Sequence, residues 1–572
     1  MEYKMNKFLI LLSGVLIFIL FSLPAWAVDV EPVVAQHGMV VTEQKLASEV
    51  GARILKAGGN AIDAAVAVGY ALAVVNPCCG NIGGGGFMLI HLANGKNIFL
   101  NFREKAPLAG NSKMFLDDRG NIIPEKSTYG YSAVAVPGTV LGLETALKKY
   151  GTMTRQQVMA PAIELASKGF ILGPGDIALL QFGTKNFKRQ ANVAAIFLKN
   201  GQPYQVGDRL VQKDLATTLS DISKQGAKAF YRGRIAKIIV EASNKNGGYL
   251  SVKDFENYRV EEEIPITCTY HGYKIISAPP PSSGGVALCE SLNILESYPL
   301  QEWGFHSVQG SHYIIEAMRF AFADRNNNMG DPDFVNNPVT HLISKDYAAQ
   351  IRRVIPDNKA IPSTSLPMNF QPQHEGNNTT HYSVIDQDGN AVAVTFTINR
   401  FFGAYVIADH TGFFLNDEMD DFTAKPGVAN QFGLVQSAKN NIQPGKRPLS
   451  SMTPTIVMKD RQPLIVLGSP GGPRIITTVL QTILNILEYN LNVQAAVDAP
   501  RFHQQWLPDV VDIEQGPDVF SADVMEKLER MGYHFKQRPV WSAVEAIYID
   551  PRTKMLYGGS DSRKAAGGAV GY

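Results

Sequence analysis

Apolar and polar positions alternate with a period of two most cleanly between Asn378 and Asn399, NTTHYSVIDQDGNAVAVTFTIN. Two runs of β-formers, His381 to Ile385 and Ala391 to Ile398, flank a Gln-Asp-Gly-Asn turn, which predicts a hairpin. A two-residue loop at Asp388-Gly389 sets Ile398 opposite Thr379, whereas a three-residue loop with Gly389 in a left-handed bulge sets Thr397 there. Only the second sorts the side chains. Tyr382, Val384, Val392, Val394, Phe396 and Ile398 then share one face, and Thr379, His381, Ser383, Ala391, Ala393, Thr395, Thr397 and Asn399 share the other. The first face is a core; the second is small and polar, with hydroxyls at its end.

Elsewhere the period lengthens. Leu46 to Val75 carries Ala and Val at helical spacing and predicts one or two buried helices, stopped by Asn76-Pro77. Gly83 to Gly86 then lead into Phe87 to His91. Helix, glycines, strand is the reverse of the order a phosphate loop needs, so the glycines read as close backbone packing near an active site rather than a dinucleotide site. A strand over 97–102 ends at Arg103. Helices are predicted over 138–150, 154–168, 214–225, 232–244 and 312–325, and Pro279 to Gly285 is a rigid turn into a serine-capped helix. Arg353 to Asn378 is polar and proline-bearing, a linker or exposed loop where a cut is natural. After the hairpin, a strand over 412–415 leads to the acidic run Asn416 to Asp421, which by itself reads as a solvated loop. Gly427 to Gly445 suits a mobile flap. Strands over 455–458 and 463–467 follow, the second delivering Gly468-Ser469-Pro470-Gly471-Gly472 to a helix over 474–489. Strand, glycines, helix leaves backbone N–H groups free at a positive helix end, which suits an oxyanion. No GxSxG is present, so Ser469 is not a hydrolase elbow. The alternation of sheets and helix clusters predicts a layered α/β body.

The chain has 572 residues, 45% hydrophobic and 18% charged, with net charge +1. That is a globular composition without a basic field for nucleic acid. Lys4 and Lys7, the apolar run from Phe8 to Phe21 and Ala25-Trp26-Ala27 predict a secretory signal peptide over 1–27; the run is short for an anchor, so an exported protein, periplasmic or secreted, with no membrane segment after signal removal is expected. The four cysteines are too few for a disulfide scaffold in so long a chain. Adjacent Cys78 and Cys79 are not expected to pair without strain, and two states stay open for Cys268 and Cys289, paired or buried as thiols. No CxxC, HExxH or EF-hand pattern supports a metal.

Asn378-Thr379-Thr380-His381 carries the sharper chemistry. Cleavage between Asn378 and Thr379 would put a hydroxyl nucleophile and a free α-amine on one residue, so attacker and base need no further positioning. An α-amine titrates at roughly 7.7 to 8.0, close to where a general base is most useful.

TTHYSVID, the Thr395 to Asn399 segment TFTIN, MDDFTAKPG, RPLSSMTPT and GSPGG occur in order, and with them the chain from about Val33 to Tyr572 resembles the gamma-glutamyltranspeptidases, self-cleaving N-terminal-nucleophile hydrolases. The resemblance implies a four-layer αββα sandwich, a large subunit 28–378 and a small catalytic subunit 379–572 that together form one heterodimeric domain, and no cofactor. It implies Thr379 as nucleophile with Thr397 as its hydrogen-bond partner, and Gly471 and Gly472 as oxyanion donors. Arg103, Ser450 and Ser451 would hold the substrate α-carboxylate, and Asn399, Glu418 and Asp421 the α-ammonium; Asp420 in place of Asp421, and a turn-capping role for the serines, are the bland readings. The implied substrates are glutathione and other γ-glutamyl compounds, with water, amino acids or dipeptides as acceptors. Phe432 stands where relatives with a flap often carry tyrosine, Pro473 where serine is common, and Cys78-Cys79 where small or polar residues are expected. Competing readings are a cephalosporin- or glutaryl-type acylase of the same fold, and an envelope binding protein that never processes.

Overall fold

The hairpin forms in the register set by the side-chain sorting. In the computed structural model, which describes residues 30–367, 379–431, 433–516 and 519–572, strands Thr380–Ile385 and Ala391–Thr397 pair with Thr380 opposite Phe396 and Ile385 opposite Ala391. Gly389 takes φ +88° in the turn, as the bulge requires. Asp386 closes this turn by accepting the Asn390 N–H at 2.9 Å and, through its other oxygen, caps the neighbouring helix at the Ala61 N–H, 2.8 Å.

The hairpin lies at the middle of a seven-stranded sheet, ordered Gly568–Gly571, Met39–Thr42, Thr380–Ile385, Ala391–Thr397, Gly85–His91, Asn97–Phe102 and Glu261–Glu263. Its large-residue face, Tyr382 to Ile398, packs on the helices Lys45–Lys56, Ala61–Val75 and Thr139–Tyr150. Every residue of Ala61–Val75 is buried, which explains why that stretch is apolar on all sides. The small-residue face is buried too. Ala391 and Ala393 share a core with Val466, Leu467 and Ile547 of a second seven-stranded sheet, ordered Val33–Ala35, Leu556–Ser560, Glu545–Ile549, Gln462–Gly468, Thr455–Lys459, Tyr273–Ser277 and Ile266–Tyr270. Side chains there are small because two sheets close on each other. Helices Gly284–Leu295, Val308–Asn328 and Arg474–Leu487 cover the far side of the second sheet, completing the αββα sandwich. Pro32 to Tyr572 make one compact unit.

Two local expectations change, over 412–415 and at Cys78-Cys79, and the open state of Cys268 and Cys289 is settled. No strand forms over 412–415; Phe413 and Phe414 instead bury their rings among Phe187, Phe197, Phe230 and Phe402, and two backbone bonds, Ala404 N–H to Leu415 and Leu415 N–H to Val406, tie the segment down. Cys78 and Cys79 are joined to each other, in the turn that ends the helix Ala61–Val75. Cys268 and Cys289 are joined as well, their Cα atoms 5.9 Å apart, linking an edge strand to the helix Gly284–Leu295. Asn378 and Phe432 lie outside the described residues. Among the described residues no helix is long and apolar enough to cross a membrane, and no group of three or more His, Cys, Asp or Glu is placed to hold a metal.

Candidate active site

Thr379 enters the first strand at its buried end, 6% exposed. Its Oγ1 donates to Thr397 Oγ1 at 3.5 Å, and Thr397 Oγ1 also accepts the Asn399 N–H at 2.7 Å. Behind Thr397 lies the glycine run. A Cβ on Gly84 would stand 1.9 Å from the Thr397 carbonyl oxygen, so only glycine lets the backbone approach this closely. Asn81 fixes that approach, accepting the Gly84 N–H at 2.8 Å.

His381, two residues beyond Thr379, is committed elsewhere. His381 Nδ1 lies 2.8 Å from Thr395 Oγ1 and Nε2 3.1 Å from Ser383 Oγ, whose own proton goes to the Glu545 carbonyl at 2.9 Å. That chain makes Nε2 the protonated nitrogen. Burial holds the ring neutral, its pKa pulled down to about 3.

Thr379 and Thr397 open onto a small cavity that is also lined by Arg103, Asn399, Glu418, Asp421, Ser450, Ser451 and Gly472. Nine of the ten predicted site residues within the fold thus converge on this cavity; Gly471 sits one residue behind Gly472, away from the lining. Arg103 is fully buried and does not stand across from the acids. Its Nη1 is ion-paired with Glu418, and its Nη2 with Asp421 at 2.5 Å, while Glu104 lies 3.4 Å away. Burial opposes the Arg103 charge, but Glu418, Asp421 and Glu104 outweigh it and hold the guanidinium pKa above its ordinary value. Three carboxyls around one cation cannot all ionise in so dry a place, and burial pushes Glu104 up to about 7.

Asp421, not Asp420, faces the cavity. Asp420 turns away to accept the Ser127 hydroxyl at 2.6 Å and the Gln431 N–H at 3.1 Å, and burial lifts its pKa to about 7. Ser450 combines both readings: it lines the cavity and its Oγ accepts the Met452 N–H at 3.1 Å. The glycine- and asparagine-rich 427–445 segment contributes Leu434 to the cavity wall.

Arg325 was not picked out from the sequence, yet it lines the same cavity. Among the described residues its guanidinium is buried with neutral hydrogen-bond partners: Ser283 at 2.9 Å, Asn326 at 2.7 Å, Gln436 at 3.3 Å and Ser451 at 3.1 Å. Burial pulls its pKa down to about 10, with Asp421 the opposing charge. The available signal was an arginine inside a helix otherwise buried along its length.

A family model described as gamma-glutamyltranspeptidase matches residues 47–571. The chain is 54% identical to a glutathione hydrolase proenzyme from Pseudomonas sp. (strain A14), covering 95% of each. Among solved structures it is similar to a cephalosporin acylase from Bacillus halodurans, with TM-score 0.83 and 29% identity over 96% of this chain and 99% of that one. It is also similar to the Helicobacter pylori gamma-glutamyltranspeptidase, with TM-score 0.56 and 48% identity over 58% of this chain and 95% of that one. With the family match spanning residues 47–571, and so every residue that lines the cavity, the chain belongs to the gamma-glutamyltranspeptidase family of enzymes.

Proposed function

We propose that Thr379 carries out both steps of this enzyme's chemistry, first on its own backbone and then on γ-glutamyl amides. In the precursor its hydroxyl attacks the Asn378 carbonyl, the peptide nitrogen leaves as the Thr379 amine, and water opens the resulting ester. Chains 28–378 and 379–572 remain together as a heterodimer. The new α-amine is the base, a role His381 cannot fill with both ring nitrogens engaged. Thr379 Oγ1 then attacks the γ-carbonyl of glutathione or a related compound and its proton passes through the α-amine to the leaving amine. The γ-glutamyl ester goes to water or to the amine of an amino acid or dipeptide. Gly471 and Gly472 N–H groups hold the oxyanion, each such donor contributing on the order of 2.7 to 4 kcal/mol.

The observation that carries this reading is a nucleophile pair opening onto a buried Arg–carboxylate cluster. A zwitterionic α-amino acid head can enter by exchange: its carboxylate takes over Arg103 with Ser450 and Ser451, and its ammonium takes over Glu418 and Asp421 beside Asn399. The exchange buries no net charge, whereas a substrate lacking either group leaves one partner unpaired. That separates this reading from a glutaryl-type acylase, whose substrate carries no α-ammonium. Turnover of a γ-glutamyl anilide, with and without glycylglycine, tests it; activity on a glutaryl amide and none on the γ-glutamyl one would favour the acylase. The leader ending at Ala27 supports export to the periplasm or medium.

A further inference from the structure

The strands Gln462–Gly468 and Glu545–Ile549 pair antiparallel, with Gly468 opposite Glu545 at the end of the ladder. Three residues further on each side, the same register sets Gly471 opposite Ser542. The two do meet: a Cβ built on Gly471 would stand 2.5 Å from Ser542 Oγ, the nearest atom to that position. Ser542 is buried and holds φ +65°, a left-handed conformation that disfavours a residue with a Cβ. Its hydroxyl reaches on to Thr478 Oγ1 at 3.2 Å, on the helix Arg474–Leu487 that the glycines lead into.

Gly471 and Gly472 take φ +134° and +56°, so two consecutive peptides here have no side chain to fix them. A peptide that flips presents a carbonyl to the cavity where an N–H is wanted. Resting on the assignment of these glycines as oxyanion donors, we propose that Ser542 is a positioning residue for that oxyanion site: its strained backbone sets a hydroxyl, braced by Thr478, against Gly471 and so holds the glycine peptides in the donating orientation.

Ser542→Gly keeps the left-handed backbone and removes the hydroxyl; Ser542→Ala keeps the Cβ and removes the hydroxyl. Both are expected to process more slowly and, once processed, to lose about tenfold in kcat/KM for a γ-glutamyl anilide. Affinity for a boronic acid analogue of glutamate, which becomes tetrahedral on Thr379, should fall in parallel, while inhibition by glutamate, a ground-state ligand, stays within about twofold. If a Ser542 variant does not fold, Thr478→Val, which removes only the brace, should shift the same two quantities about threefold in the same direction. Unchanged boronate affinity, or boronate and glutamate affinities falling equally, overturns the proposal. A wild-type enzyme that ignores the boronate overturns the oxyanion assignment beneath it.

Discussion

Thr379 and Thr397 face each other across the central hairpin with their Oγ1 atoms 3.5 Å apart, and the Asn399 N–H, 2.7 Å from Thr397 Oγ1, aims the second hydroxyl at the first. Thr397→Val preserves shape, removes the hydroxyl and leaves the Asn399 N–H without its acceptor. The expected result is a fall in kcat of about 10- to 100-fold and slower appearance of the cleaved chains, followed by gel time courses and anilide turnover. Wild-type rates in both would contradict the pairing.

Arg103 joins carboxyls contributed by Glu104, Glu418 and Asp421. Arg103→Ala removes the cation ion-paired with those acids, a loss of roughly 3–5 kcal/mol. A lower melting temperature is therefore expected together with a donor KM raised about 100-fold. An unchanged KM in folded protein would remove Arg103 from substrate binding.

Arg325 holds Ser451 at 3.1 Å and Ser283 at 2.9 Å with a forked donor that lysine lacks. Arg325→Lys keeps the charge and loses the fork, so donor KM should rise about tenfold with kcat affected less. Steady-state kinetics on the processed variant check this, and a KM equal to wild type would contradict it.

What could be read from the chain was local. The hairpin register followed from large and small residues alternating on opposite faces, and the Gly83 to Gly86 run announced a backbone approach that Gly84 makes against Thr397. The sheet order was not legible, because it pairs Met39–Thr42 with the C-terminal Gly568–Gly571; the layered sandwich came from family resemblance. Arg103 on the acids is a contact across 315 residues, which no local pattern announces. Arg325 is defined by neighbours at 283, 326, 436 and 451, and Ser542 by a backbone conformation that serine does not signal.

Stability should fall with rising pH through a carboxyl beside the nucleophile strand. Burial pushes Glu43 up to about 8, with Lys564 the main opposing charge. A carboxyl whose pKa is raised by folding favours the native state below its unfolded value, about 4.3, and that contribution is lost as pH climbs through about 8. Glu43→Gln should therefore match wild type near pH 4 and melt a few degrees higher near pH 9. Melting curves that stay parallel across that range would contradict the assignment.

Both proposed steps require Thr379 to become a chain terminus. Terminal sequencing of the purified, active protein is the most direct measurement: a second terminus beginning Thr-Thr-His is expected, and in Thr379→Ala that terminus and the activity should both be absent. Full activity from an uncut chain, or an internal cut at any bond other than Asn378–Thr379, would contradict it.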